Sequence, residues 1–141
     1  MDEKTVSTPV ILIVAAPGDL QAGLQVLLAK LPDVEILAAS GESAALNAMV
    51  RHRPSLLILD VDVAGSQSPA LLNQIKGRWP NIRCLVLLNQ AGEQQAALSG
   101  GADAALIKGF PAARLVPVVE GLLRAENVKP TTLESKKEIK R

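Results

Sequence analysis

Five short apolar runs, each separated from the next by a segment of helical periodicity, constrain this chain more than any other feature. They are Val10-Ile11-Leu12-Ile13-Val14, a run across Val34–Ala38, and then Ser55–Leu59, Ile82–Leu88 and Ala104–Ile107. Runs apolar at nearly every position lack the in–out alternation of a sheet with one wet face, so they read as strands covered on both sides. Strands alternating with helices imply a parallel sheet between two helical layers. Two of the runs end in charge: Leu56-Leu57-Ile58-Leu59 meets Asp60, and Ala105-Leu106-Ile107 meets Lys108. The first ends instead in Ala15-Ala16. In a parallel sheet the carboxyl ends of neighbouring strands open onto one crevice, so a carboxylate and an ammonium are expected to face each other there.

The intervening segments carry helix signals. Pro17-Gly18-Asp19 breaks the first strand, and Leu20, Leu24, Leu27, Leu28 and Leu31 then recur at helical spacing until Pro32-Asp33. Ser40-Gly41 leads into a helix around Ser43–Arg51. After a loop over Val61–Ser68, the residues Leu71, Leu72, Ile75 and Trp79 mark a third helix, which Pro80-Asn81 stops. Ala91–Ser99 reads as a short helix closed by Gly100-Gly101. The last helix runs from Pro111 to about Ala125 with Leu115, Val118, Val119, Leu122 and Leu123, and Pro117 is expected to kink it.

The chain has 141 residues, enough for one domain that buries about two-thirds of its unfolded surface. Residues 1–8 read as a disordered start, 9–125 as the domain, and 126–141 as a charged linker or tail. Trp79 and Phe110 are the sole aromatics, so the core must be aliphatic and no stacking platform for single-stranded nucleic acid exists. With a net charge of +1, direct nucleic-acid binding by this chain is not expected. No apolar run approaches the ~20 residues of a membrane span, and Met1–Thr8 lacks a signal peptide's apolar segment. The expected setting is therefore soluble and cytoplasmic. Cys84 lies inside an apolar run and reads as a packed hydrophobe rather than a reactive thiol. His52, beside Arg51 and Arg53, reads as a surface residue, and Trp79 as a helix end packed on the domain. Ala15-Ala16-Pro17-Gly18-Asp19 has one glycine and no Lys-Ser/Thr pair, which excludes a nucleotide P-loop.

Taken in order, Val10–Val14, Ala22-Gly23-Leu24, Arg53-Pro54-Ser55-Leu56-Leu57-Ile58-Leu59-Asp60, Arg78-Trp79-Pro80-Asn81-Ile82-Arg83 and Gly101-Ala102-Asp103 running into Lys108 resemble the receiver domain of two-component response regulators. The resemblance covers residues 9–125 and is nearest the NarL/FixJ type. It implies an α/β, flavodoxin-like (βα)₅ sandwich with a five-stranded parallel sheet. It also implies that Asp60 occupies the phosphoacceptor position and Lys108 that of the lysine pairing with a phosphoryl oxygen. The acidic pair that helps such domains hold Mg²⁺ falls on Ala15 and Ala16. The hydroxyl residue ending the fourth strand falls on Leu88 or Asn89, and the aromatic of the fifth strand on Ala105. The proline that follows the lysine arrives late, in Lys108-Gly109-Phe110-Pro111.

These substitutions lead to the expectation of an atypical or pseudo-receiver, not an enzyme and without a cofactor. Phosphoryl transfer depends on positioning and on neutralising the charge of the phosphoryl oxygens, much of it by Mg²⁺. With two alanines in place of carboxylates, Asp60 is the one family-matching side-chain ligand left. Asp62 is a weak metal candidate, read here as a solvated loop aspartate. Asp60 and Lys108 are expected to satisfy each other in a direct ion pair. The expected role is phosphorylation-independent interaction or homodimerisation in transcriptional regulation, with a sensor kinase or output domain as partner. Leu115, Val119, Glu120, Leu122 and Arg124 are the candidate interface. Two alternatives stand beside it: a working receiver phosphorylated at Asp60 through a weakened Mg²⁺ site, and a flavodoxin-like domain holding a small ligand where Ala15-Ala16 leave room. Lys136-Lys137-Glu138-Ile139-Lys140-Arg141 is too short for a helix-turn-helix, so the chain reads either as a receiver ending in a linker or as a stand-alone one.

Overall fold

A computed structural model describes residues 8–62 and 68–124. The expectations for the first seven residues, the middle of the loop after Asp60 and the charged tail fall outside them. Five strands, β1 (Val10–Val14), β2 (Glu35–Ala39), β3 (Leu56–Asp60), β4 (Arg83–Leu88) and β5 (Ala104–Ile107), form one sheet in the order β2-β1-β3-β4-β5. All four pairings are parallel. The chain leaves β1 for β2 on one side and returns to β3 on the other. This reversal is the switch point that opens a crevice outside the carboxyl ends of β1 and β3.

The helices are α1 (Asp19–Leu28), α2 (Glu42–His52), α3 (Ser68–Arg78), α4 (Gln94–Ser99) and α5 (Ala112–Arg124). Period-two alternation along the strands divides the core into two layers. Leu12, Val14, Leu57, Leu59, Cys84, Val86 and Leu88 pack against Ala45 and Met49 of α2 and Leu71, Leu72 and Ile75 of α3. On the opposite face Ile11, Ile13, Leu56, Ile58, Leu85 and Leu87 meet Leu24 and Leu28 of α1 and Leu115 and Val119 of α5. Every residue of β3 is buried, Asp60 included. The uniform apolar runs thus have the cause inferred for them: both strand faces carry core.

Several details differ from the sequence reading. Asp60 lies inside β3, paired in register with Leu87, rather than following the strand. The segment expected as one short helix begins with a single 3₁₀ turn, Ala91–Glu93, before α4. There the Glu93 and Gln90 side chains form a reciprocal capping box. Leu31 is buried but lies beyond the end of α1. Pro117 is accommodated within one continuous α5. Leu115 and Val119 are both 0% exposed, so these two interface candidates belong to the core instead. Helical spacing alone could not tell which stripe of α5 faces the sheet. Trp79 is half-buried against the α2/α3 layer, with the Arg78 guanidinium 4.5 Å from its ring centre.

The arrangement has measurable consequences of opposite sign. Ile58 is fully buried in the central strand, so Ile58→Ala is expected to cost about 2–5 kcal/mol in urea unfolding. Pro117 lies on the exposed side of α5 and withholds a backbone donor, so Pro117→Ala is expected to raise stability by about 1–3 kcal/mol in the same assay.

Candidate functional site

The crevice at the strand ends is built around one buried carboxylate. β3 delivers Asp60 to the edge of the core with 7% of its surface exposed. Burying an ionised carboxylate is tolerable only with a counter-charge or hydrogen bonds. β5 supplies the counter-charge: the Lys108 N–H continues the ladder to the Leu88 carbonyl at 2.8 Å, which fixes where the side chain starts. Its Nζ stands 2.5 Å from Oδ1 of Asp60 and 2.7 Å from Oδ2 of Asp62. Gly109, at φ +92°, then takes a backbone conformation that an L side chain rarely adopts. It turns the chain so that Phe110 packs on the α1/α5 layer.

Asp62 is solvated as expected, its side chain 60% exposed, and is also a member of the site. Its own N–H donates to Oδ1 of Asp60 at 3.1 Å, a local side-chain turn that folds the chain back over the strand end. Its Oδ1 accepts from Nδ2 of Asn89 at 3.0 Å. Asn89 is held in turn by its N–H donating to Oε1 of Glu93 at 2.8 Å. One carboxylate therefore gathers a cation from the end of β5 and an amide from the end of β4. Of the two residues considered for the end of the fourth strand, Asn89 reaches this group, whereas Leu88 is buried in the α2/α3 layer. Ala105 packs against that same layer.

The charges respond to this geometry. The Lys108 hydrogen bond holds the Asp62 carboxyl below its ordinary value of 3.8, helped by Asn89 and opposed by a little burial. Burial pulls the Lys108 ammonium down, but its bonds to Asp60 and Asp62 outweigh that and leave it above its ordinary 10.5. Away from the crevice, burial pushes the Cys84 thiol up to about 12, in keeping with a packing role. A separate network, unremarked in the sequence, ties the amino end of β4 to β5. Asp103 accepts from the Cys84 N–H at 2.8 Å and from Nζ of Lys76 at 3.2 Å.

The position of the missing acidic pair is closed rather than roomy. The Ala15 side chain is 1% exposed and packs with Ile11 and Ile13, while its carbonyl accepts from Nε2 of Gln21 at 2.8 Å. Only Ala16 faces solvent. The space envisaged for a small ligand beside Ala15 is therefore filled by core. Nor does the donor set suit a divalent cation. Methyl groups stand at 15 and 16, and an ammonium sits against both remaining carboxylates. Among the described residues no three His, Cys, Asp or Glu side chains converge as a metal cluster.

Comparison with known proteins identifies this arrangement. A family model described as "Response regulator receiver domain" matches residues 7–120. The chain belongs to the response regulator receiver family. The transcriptional regulatory protein PrrA of Mycobacterium tuberculosis is 28% identical over 121 residues, covering 84% of this chain and 52% of PrrA. PrrA of Mycobacterium leprae is 28% identical over 129 residues, covering 90% and 55%. The chain thus spans about half the length of the curated relatives it matches. The receiver domain of NtrX from Brucella abortus superposes with a TM-score of 0.74 at 28% identity, covering 81% of this chain and 98% of that one. The receiver of a LuxO-type repressor from Vibrio parahaemolyticus gives 0.77 at 19% identity, covering 86% and 94%, a likeness of fold. As a receiver, the chain is a signalling module of two-component systems. Among the described residues no helix is long and apolar enough to cross a membrane.

The linkage of these charges to pH follows from their signs. Asp62 is lowered, so its contact with Lys108 contributes above the ordinary carboxylate value and is lost as pH falls through the lowered one. Lys108 is raised, so its share persists above 10.5 and is lost as pH rises through the higher folded value. Carboxyl-carbon NMR is expected to find Asp62 titrating below 3.8 and returning toward that value in Lys108→Gln; an unchanged titration would refute the contact.

Proposed function

We infer that this receiver acts without phosphorylation of Asp60, as an interaction module in a two-component regulatory system. The observation that carries this reading is the Asp62 carboxylate in contact with both Lys108 and Asn89. The family resemblance assigns the Lys108 position to pairing with a phosphoryl oxygen, and here an internal carboxylate already occupies that ammonium. The ends of β3, β4 and β5 are therefore drawn together by an anion that the chain carries itself. Ala15 and Ala16 add a second support, because the carboxylates that would help bind Mg²⁺ are methyl groups. A receiver with these features has a fixed electrostatic state in place of a switched one.

The partners proposed are a second copy of this chain, a sensor kinase or an output domain, and the transcriptional regulatory protein PrrA points toward regulation of transcription. Leu98 of α4 and Ile107 of β5, 44% and 39% exposed, lie on two elements that pack together. With Arg124 and the half-buried Glu120 and Leu122, they form the surface proposed for pairing. Leu115 and Val119 lie beneath it as support.

Incubation with acetyl phosphate or a beryllium fluoride mimic, with and without Mg²⁺, is expected to leave the mass and the Asp60 carboxyl-carbon NMR signal unchanged. A stoichiometric, metal-dependent adduct that disappears in Asp60→Asn would overturn the reading. It would instead establish the alternative of a working receiver with a weakened Mg²⁺ site. Sedimentation is expected to show self-association that survives Asp60→Asn and weakens in Ile107→Glu.

A further inference from the structure

A second concave site lies at the opposite end of the sheet, beneath the amino ends of β3 and β4 and independent of the reading above. It has a volume of about 700 Å³, and its walls include Arg53, Ser55, Arg78, Trp79 and Asn81 over a floor containing Met49. That size falls within the roughly 300–1,000 Å³ of small-molecule sites. No acidic residue lines it. Among the described residues no hydrogen bond or ion pair engages the side chains of Arg53, Ser55, Arg78 or Asn81, all four of which line the cavity.

Two features mark the cavity wall. Cations at the carboxyl ends of α2 and α3 offset the helix dipoles, and Arg53 also closes α2, its N–H donating to the Met49 carbonyl at 3.1 Å. Arg53 sits at φ 48°, ψ 63°, a left-handed conformation unfavourable for a residue with a Cβ and normal for glycine at a helix end. Arg53 thus lines the cavity from a helix-end position where glycine would cost less. Arg78 lies over the Trp79 ring, which leaves a guanidinium–indole stack on the cavity wall. A guanidinium matches phosphate geometry through paired N–H donors, and one stacked on an indole presents its own planar face to a planar ring.

We propose that this cavity binds a small phosphorylated ligand with a planar ring, of the nucleoside monophosphate class, with Arg53 on the phosphate and the Arg78–Trp79 stack against the ring. Trp79 is the single tryptophan and the chain has no tyrosine, so indole emission reports on this site alone. Titration of the full chain with AMP is expected to give a saturable change in that emission. Adenosine and ribose 5-phosphate, each carrying half of the recognised chemistry, are expected to bind at least about tenfold more weakly. High salt weakens a charge-assisted contact, so AMP affinity should fall as salt rises.

Arg53→Gln and Arg53→Gly are both expected to weaken AMP at least about tenfold. The glycine variant should keep or raise the thermal midpoint, because it relieves the left-handed backbone, and this separates lost binding from lost folding. Asp60→Asn should bind AMP like the parent, so failure here and failure at the crevice are distinguishable. The absence of any saturable response to AMP would overturn the proposal. So would equal affinity for adenosine, or AMP binding untouched in both Arg53 variants.

Discussion

Burial of β3 on both faces forces the arrangement of everything at its carboxyl end. A strand that packs against helices above and below carries its last residue, Asp60, into low-dielectric surroundings, where an isolated carboxylate is costly. Lys108 answers that demand from the neighbouring edge of the sheet, and it can do so because the β5 ladder fixes its backbone at the Leu88 carbonyl. The ion pair depends on the sheet order, since only β4 separates the two strands that bear the charges. Its net worth to stability is modest, because desolvation of both groups opposes their attraction. What it determines is position: the ammonium is committed to one place.

That commitment extends outward through short local bonds. Asp62 is turned back onto Asp60 by its own N–H, and its carboxylate then takes a second bond from Lys108 and a third from Asn89. Glu93 closes the series by holding the backbone of Asn89 and Gln90. The loops after β3, β4 and β5 are thereby linked through alternating charge and amide groups. On the β1 side the crevice has the reverse character, with Ala15 sealed into the core and Gln21 occupying its carbonyl. Half of the crevice is polar and internally satisfied, and the other half is aliphatic.

Much of the architecture was legible in the residues. The five apolar runs, their Pro and Gly breaks and the helical leucine spacings predict each of the ten elements in order, though not the end of α1 or the start of α3, and the family resemblance predicts the (βα)₅ sandwich that the sheet order reproduces. The opposition of Asp60 and Lys108 follows from strand ends sharing a crevice. The roles of Asp62 and Asn89 were not legible, because each depends on a loop returning across a strand end. An Asp-x-Asp spacing hinted at this, but strand alternation and a turn give different directions for the second carboxylate. The buried stripe of α5 was misplaced for a related reason. A helix with apolar residues on several sides presents more than one face that periodicity could bury, and contact with α1 and β4 selects Leu115 and Val119.

By itself, the sequence determined the parallel sheet and the aliphatic character of its two core layers, since these are matters of residue type and period, while the family resemblance assigns the acidic-pair positions to Ala15 and Ala16. The tertiary structure alone decided which groups share a proton-scale neighbourhood. It brought Lys108 between two carboxylates, set Asn89 on the second of them, and at the far end gathered Arg53, Arg78 and Trp79 around one cavity. The physical reason is range. Periodicity is a property of neighbours along the chain, whereas hydrogen bonds and charge contacts act over a few ångströms between residues 27 or 46 positions apart.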